Sequence, residues 1–251
     1  MKIRPNRLPL WVKLIFSYLV LWIILFEFVL PVNKILPKPS VVIESIPDLF
    51  FDYEFTINLL STLGVIYLSI LAATTLIYFL RKWILTDDSF ISHILKSFVW
   101  ISGTVPIIAL GIFFIYWFPE SEITEFIFAA LVFFISMVSS VRKTARQSKE
   151  EFITSISSFG INSDTIKKEV IWNSILPLVK DEMVRFHTFF WTIIISYEFI
   201  KGGYGLGSIY KNILTYSDLS ALLGMTILIA IILFCFNFLI KYLVNKLIFW
   251  K

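Results

Sequence analysis

The amino-acid sequence predicts an all-α integral membrane protein, and three observations carry that prediction. Of its 251 residues, 58% are hydrophobic and only 16% charged, against roughly 45–50% apolar and about 25% charged in soluble domains. Six apolar stretches approach or exceed the roughly 20 residues with which a helix crosses a bilayer core about 30 Å thick. The Lys and Arg residues flank those stretches unevenly, eighteen on one side against four on the other.

The first stretch, Trp11–Leu30, follows Lys2, Arg4 and Arg7 and contains Lys13. Its apolar run is too long for a secretory signal, and "LPVNKILPKPS" follows it instead of a small-residue cleavage site, so it reads as an uncleaved helix. The second, Phe55–Leu80, runs into Arg81 and Lys82. The third, Ile94–Phe118, contains Pro106 between Gly103 and Gly111, a break expected near mid-depth. The fourth, Ile123–Val141, opens into the long basic connection 142–185. The fifth, Phe186–Ile200, is the shortest, and the sixth, Leu219–Phe249, is long enough to tilt or to continue along the surface. By the rule that places Lys and Arg inside, the N and C termini and the connection 142–185 are expected in the cytoplasm. The outer side keeps Lys34, Lys38, Lys201 and Lys211. With no repeat or low-complexity segment, the expectation is one membrane domain over 1–251 with its core over 50–250.

The same composition excludes several classes. A single cysteine, Cys235, and two histidines, His93 and His187, offer neither a disulfide framework nor a metal site. Both histidines are expected at the interface. No basic face interleaved with aromatics lies in a soluble segment, so nucleic acid is not an expected partner. The charges within spans, Glu27, Lys96 and Glu198, lie near their ends. A proton-coupled carrier would need an ionisable relay across the bilayer. No nucleophile and base or carboxylate pair marks an enzyme.

Two segments carry motifs. In "KEEFITSISSFG", Phe152, Ile156 and Phe159 fall at i, i+4 and i+7, an apolar stripe on a short helix. Gly160 suits a left-handed C-cap and Asn162 the N-cap of a following helix. Periodicity alone leaves two readings, an amphipathic helix on the lipid surface or a helix that docks on a partner. The second segment is "GGYGLG", Gly202–Gly207, which lacks the Lys-Ser/Thr ending of a phosphate loop. It is either a flexible hairpin between spans or an outer gate loop. Glu198, just before it, either reaches the headgroups or accepts hydrogen bonds from the backbone of the glycine segment. The small and polar residues of the second and third spans serve helix packing or a solute path, for which Ser102, Thr104 and Pro106 are the candidates.

The stretch "TSISSFGINSDTIKKEVIWNSILP" resembles the cytoplasmic loop of ABC-importer permeases, with Gly160, Val170, Leu176 and Pro177 on matching positions. "LPKPSVVIESI", "VPIIALGIFFIYWF", "EFIKGGYGLGSIY" and the terminal "LVNKLIFW" resemble segments of the subfamily for nitrate, sulfonate, taurine and thiamine-precursor import. Thr154, Ser155 and Ile156 stand where that family has Glu-Ala-Ala, so the charged contact expected there is absent.

The resemblance implies a type I importer permease fold in the cytoplasmic (inner) membrane, paired with a second permease copy or paralogue. It implies that Phe152, Ile156, Phe159, Gly160, Asn162, Lys167, Lys168 and Pro177 couple to a separate ATPase subunit, which would hold ATP and Mg. Glu198, Gly202, Gly203, Gly205 and Gly207 would form an outer gate facing a substrate-binding protein. The solute implied is a small organic anion such as a sulfonate, nitrate or a vitamin precursor. The alternative is a membrane scaffold or assembly protein that keeps the fold without transport.

Overall fold

The computed structural model describes residues 10–30, 37–86, 89–118, 122–157 and 166–250. Every regular element among them is helical: α1 (Leu10–Ile23), continuing as a π-helical turn (Ile24–Val29), α2 (Pro39–Glu44), α3 (Ile46–Phe51), α4 (Phe55–Leu85), α5 (Phe90–Thr104), α6 (Ile107–Trp117), α7 (Glu122–Ser157), a π-helical segment (Ile166–Ile171) leading into α8 (Trp172–Lys201), α9 (Leu206–Thr215) and α10 (Leu219–Leu247). Four stretches, Val12–Val29, Phe55–Leu85, Ile123–Arg146 and Leu219–Leu247, are long and apolar enough to cross a bilayer. The pair α5 and α6 makes a fifth when taken as one broken span.

The expected break in the third span is present, and two other expectations change in detail. The third span is not one rod, because α5 and α6 meet at 98°. Pro106 has no N–H and disfavours helix in the residue before it, and Val105 is accordingly extended at φ −80°, ψ 128°. The fifth span is only the second half of α8, whose earlier turns carry Lys180, Asp181, Glu182 and Arg185. The connection 142–185 is not a loop with its own short helix, since α7 runs on through Ser157.

The chain forms two compact units. The first joins the described residues up to Thr56 with Ile209–Ala230. Here Glu27 accepts from the backbone N–H and the hydroxyl of Ser40 at 3.2 and 3.0 Å, satisfying a donor at the start of α2. Gly224 on α10 faces Ser45 and Leu49, and a Cβ there would make only ordinary contact with them. Asp218 caps α10 by accepting the N–H of Ala221 at 3.0 Å. Its other oxygen lies 3.4 Å from the Tyr53 hydroxyl, and burial followed by this carboxylate pushes that phenol up from its ordinary value.

The second unit joins Ile57–Ser208 with Ile231–Lys251. Its core is the face between α7 and α8, where Phe133 packs on Phe186 and Phe190, and Phe128 stacks on Tyr197 with centroids 4.5 Å apart. Gly111 brings α6 onto this seam, because a Cβ there would lie 3.3 Å from both Phe128 and Tyr197. His187, expected at the interface, is buried within the protein. It pairs through Nδ1 with the Asn237 amide oxygen at 2.7 Å, and at Nε2 accepts from the Trp191 indole at 3.2 Å, with the Tyr67 hydroxyl 3.1 Å away. Arg81 at the end of α4 pairs with Glu169 at 3.1 Å, tying the π-helical segment down.

Candidate functional site

The most constrained polar cluster lies where α8 ends and α9 begins. Gly202, at φ 76°, closes α8, and its N–H donates to the Glu198 carbonyl at 2.7 Å. Gly203 and Gly205 also hold positive φ, 89° and 101°, which glycine adopts without a Cβ penalty. These three turns fold the chain back so that Glu198 meets the first backbone N–H groups of α9.

Glu198 is wholly buried. Its Oε2 accepts the N–H of Gly207 at 2.8 Å and its Oε1 accepts the Thr62 hydroxyl at 2.6 Å. The Thr62 oxygen in turn accepts the N–H of Leu206 at 2.9 Å, and the Asn58 amide oxygen accepts that of Gly205 at 2.8 Å. Three successive backbone donors are therefore taken up by three side chains, two of them from α4. A helix N-terminus leaves such donors unpaired and carries partial positive charge, so an acidic group is well placed there. The fit demands glycine twice over. A Cβ on Gly205 would fall on the Glu198 carboxylate, and one on Gly207 would fall on the backbone of Ile195 and Phe199.

A second charged layer backs the first. Lys201 pairs with Glu125 at 3.0 Å, both largely buried, and the Glu125 carboxyl lies within hydrogen-bonding reach of Glu198. Removing charge from water is unfavourable unless it is paired or hydrogen bonded; Lys201 pairs with Glu125, and Glu198 is held by its hydrogen bonds from Gly207 and Thr62.

The anticipated gate residues thus come together around Glu198, which is buried in the protein and accepts from the backbone of the glycine segment. Gly202, Gly205 and Gly207 are buried, and Gly203 is exposed. Sequence reasoning missed Asn58 and Glu125, and left Thr62 among the second-span residues read as serving helix packing or a solute path. The one local signal for Thr62 and Asn58 was their i, i+4 spacing on one face of α4.

The anticipated coupling residues are placed less completely. The backbone of Phe152 and Ile156 belongs to the last turns of α7, and that of Lys167 and Lys168 to the π-helical segment. Phe159, Gly160 and Asn162 lie outside the described residues. Pro177 sits inside α8 and cannot donate to the carbonyl of Asn173 four residues earlier. That carbonyl instead accepts the indole N–H of Trp250 at 3.0 Å.

The three anticipated pathway residues do not line one cavity. Pro106 lines an apolar cavity of about 300 Å³ with Gly111, Phe128, Thr192, Ser196 and Tyr197. Thr104 lines a separate basic groove, and its hydroxyl donates to the Ile101 carbonyl at 2.6 Å. Ser102 lines neither.

The profile of the family described as binding-protein-dependent transport system inner membrane component matches residues 84–248, from the last turn of α4 to just beyond α10. No curated protein and no solved structure matches the chain.

Proposed function

The chain belongs to the family of binding-protein-dependent transport system inner membrane components, and on that premise we propose that it is the transmembrane subunit of an ATP-driven importer for a small solute. The observation that carries the reading is the match itself, which spans α5 to α10 and therefore covers both the connection 142–185 and the α8–α9 turn with Glu198. In this reading the protein is a multi-pass component of the cytoplasmic membrane, with the connection 142–185 in the cytoplasm. ATP and Mg are bound by a partner ATPase. A second permease, the same chain or a paralogue, completes the path, and a substrate-binding protein delivers the solute.

The buried Glu198 cluster supports assigning the α8–α9 turn as a rigid outer element. Rocking of helices between two packed arrangements moves such an element as one body. The end of α7 and the π-helical segment are the parts that receive the ATPase. The solute class remains the one the resemblance implied, a small organic anion, nitrate or a vitamin precursor.

The decisive experiment reconstitutes this chain with its genomically neighbouring ATPase and binding protein in proteoliposomes. ATP-dependent uptake of the solute that the binding protein retains supports the importer. Stable assembly with the ATPase, no uptake, and ATP turnover indifferent to the loaded binding protein would leave the scaffold reading instead.

A further inference from the structure

On the side of the second unit away from the Glu198 cluster, α5 and α7 enclose a groove of about 590 Å³. Lys96 and Trp100 line it one turn apart on α5, and Arg142, Lys143 and Arg146 line it on α7. No lining residue is acidic. The groove is graded along both helices. Arg142, Lys143 and Arg146 cluster at the Arg146 end of the apolar stretch Ile123–Arg146, whereas Val99, Gly103 and Ser139 line the part nearer its middle. Lys96, Lys143, Arg146 and Trp100 are exposed, Trp100 by 70%.

Such a gradient suits a molecule with an anionic head and an apolar continuation. Three exposed cations, Lys96, Lys143 and Arg146, in a groove whose described lining holds no acid attract phosphate, and Lys or Arg near a membrane surface contributes about fivefold in affinity for anionic lipid per residue. An indole beside them is the aromatic type that settles at the headgroup level. A freely soluble anion would use the cations and leave the small, weakly polar end unfilled. We propose that the groove between α5 and α7 binds the headgroup of an anionic phospholipid of the cytoplasmic leaflet. The leaflet rests on the orientation proposed above, whereas the binding itself does not.

The test uses the full chain in liposomes of phosphatidylcholine carrying a trace of photoactivatable phosphatidylglycerol or, separately, photoactivatable phosphatidylcholine. Adducts are mapped by peptide mass spectrometry. The expected result is phosphatidylglycerol adducts concentrated in Lys96–Thr104 and Ser139–Arg146. They should fall about tenfold or more in the triple variant K96Q/K143Q/R146Q, whose changes are all at exposed positions. The variant K241Q/K246Q removes two basic residues elsewhere and should keep them. Equal labelling by phosphatidylcholine, an equal loss in K241Q/K246Q, or full displacement by excess inorganic phosphate would each overturn the proposal, the last by assigning the groove to a soluble anion. No transport step enters the assay, and lipid is present in both leaflets. A failed importer assignment or an inverted topology would therefore leave the labelling unchanged.

Discussion

The carboxylate of Glu198 accepts the backbone N–H of Gly207 at 2.8 Å while the ring of backbone at Ile195 and Phe199 excludes any side chain on Gly207. One residue supplies the acceptor and the other, by having no side chain, lets the donor arrive. Removing the acceptor in Glu198→Ala leaves the Gly207 N–H buried without it, at a cost of roughly 1–3 kcal/mol. Glu198→Gln differs. Its amide oxygen still accepts from Gly207, and its NH2 donates to the Thr62 oxygen once that hydroxyl turns to the Asn58 carbonyl, 3.1 Å away. Thermal denaturation of the detergent-solubilised protein should therefore rank Ala well below Gln, with Gln near wild type. If the turn is a gate, Ala should also raise ATPase activity in the assembled complex without solute, and Gln should not. Equal melting of the Ala and wild-type proteins would refute the clasp.

The glycines allow a second ranking. Gly203→Ala has open space around its Cβ and meets only a φ of 89°, worth about 1–2 kcal/mol. Gly207→Ala must also displace the end of α8, because the obstruction is backbone that no side-chain rotation relieves. Folded yield in membranes should drop for Gly207→Ala far more than for Gly203→Ala. Similar yields would mean that the turn and α8 are not in contact.

Class and broad architecture were legible because both follow from local quantities: apolar run lengths, basic flanks and the break at Pro106. The Glu198 hydrogen bond to the glycine segment was legible for a related reason, its partner being nine residues away. Thr62 was not, since it joins the site across 136 residues of chain and no periodicity encodes such a meeting. The burial of His187 was not legible, because its position near a span end says nothing of Tyr67 and Asn237 approaching it from other helices. Counting apolar residues stops α7 at Val141, yet the helix continues through "RKTARQSKEEF", which contains good helix formers and neither Pro nor Gly. Span length reports the bilayer, whereas helix length reports where something ends the helix.

Trp250 and Pro177 provide a test of coupled local chemistry. Trp250→Phe deletes the donor to the Asn173 carbonyl and should cost about 0.5–1.5 kcal/mol. In a Pro177→Ala background the new N–H at position 177 can satisfy Asn173 within α8, so the same change should cost much less. Denaturation of the four proteins of this cycle measures the difference. An identical effect of Trp250→Phe in both backgrounds would show that the indole contributes through ring packing alone.

Orientation is tested with single cysteines in a Cys235→Ser chain. Asn212 and Arg185 are both exposed. Asn212→Cys should react with an impermeant thiol reagent in intact cells, and Arg185→Cys only after lysis. The reverse pattern would invert the proposed topology.

The coupling assignment rests on the stripe of Phe152, Ile156 and Phe159, which sequence spacing places on one helical face. A groove on a partner ATPase would bury these side chains as apolar anchors, and a few such anchors carry most of the binding energy in an interface. A lipid surface would accept them equally well, so hydrophobicity alone does not decide between the two. A carboxylate does decide. In Phe152→Glu/Phe159→Glu, charge would have to enter the ATPase groove, and ATPase recovered with the tagged permease should fall about tenfold or more, equivalent to at least about 1.4 kcal/mol. Substituting Lys149→Gln on the same segment removes charge without touching the stripe and should cost far less. Quantitative co-purification reads both variants, with monodisperse elution of the permease confirming its fold. Full ATPase recovery with the double Glu variant would place the stripe on lipid and move the docking surface elsewhere on the chain.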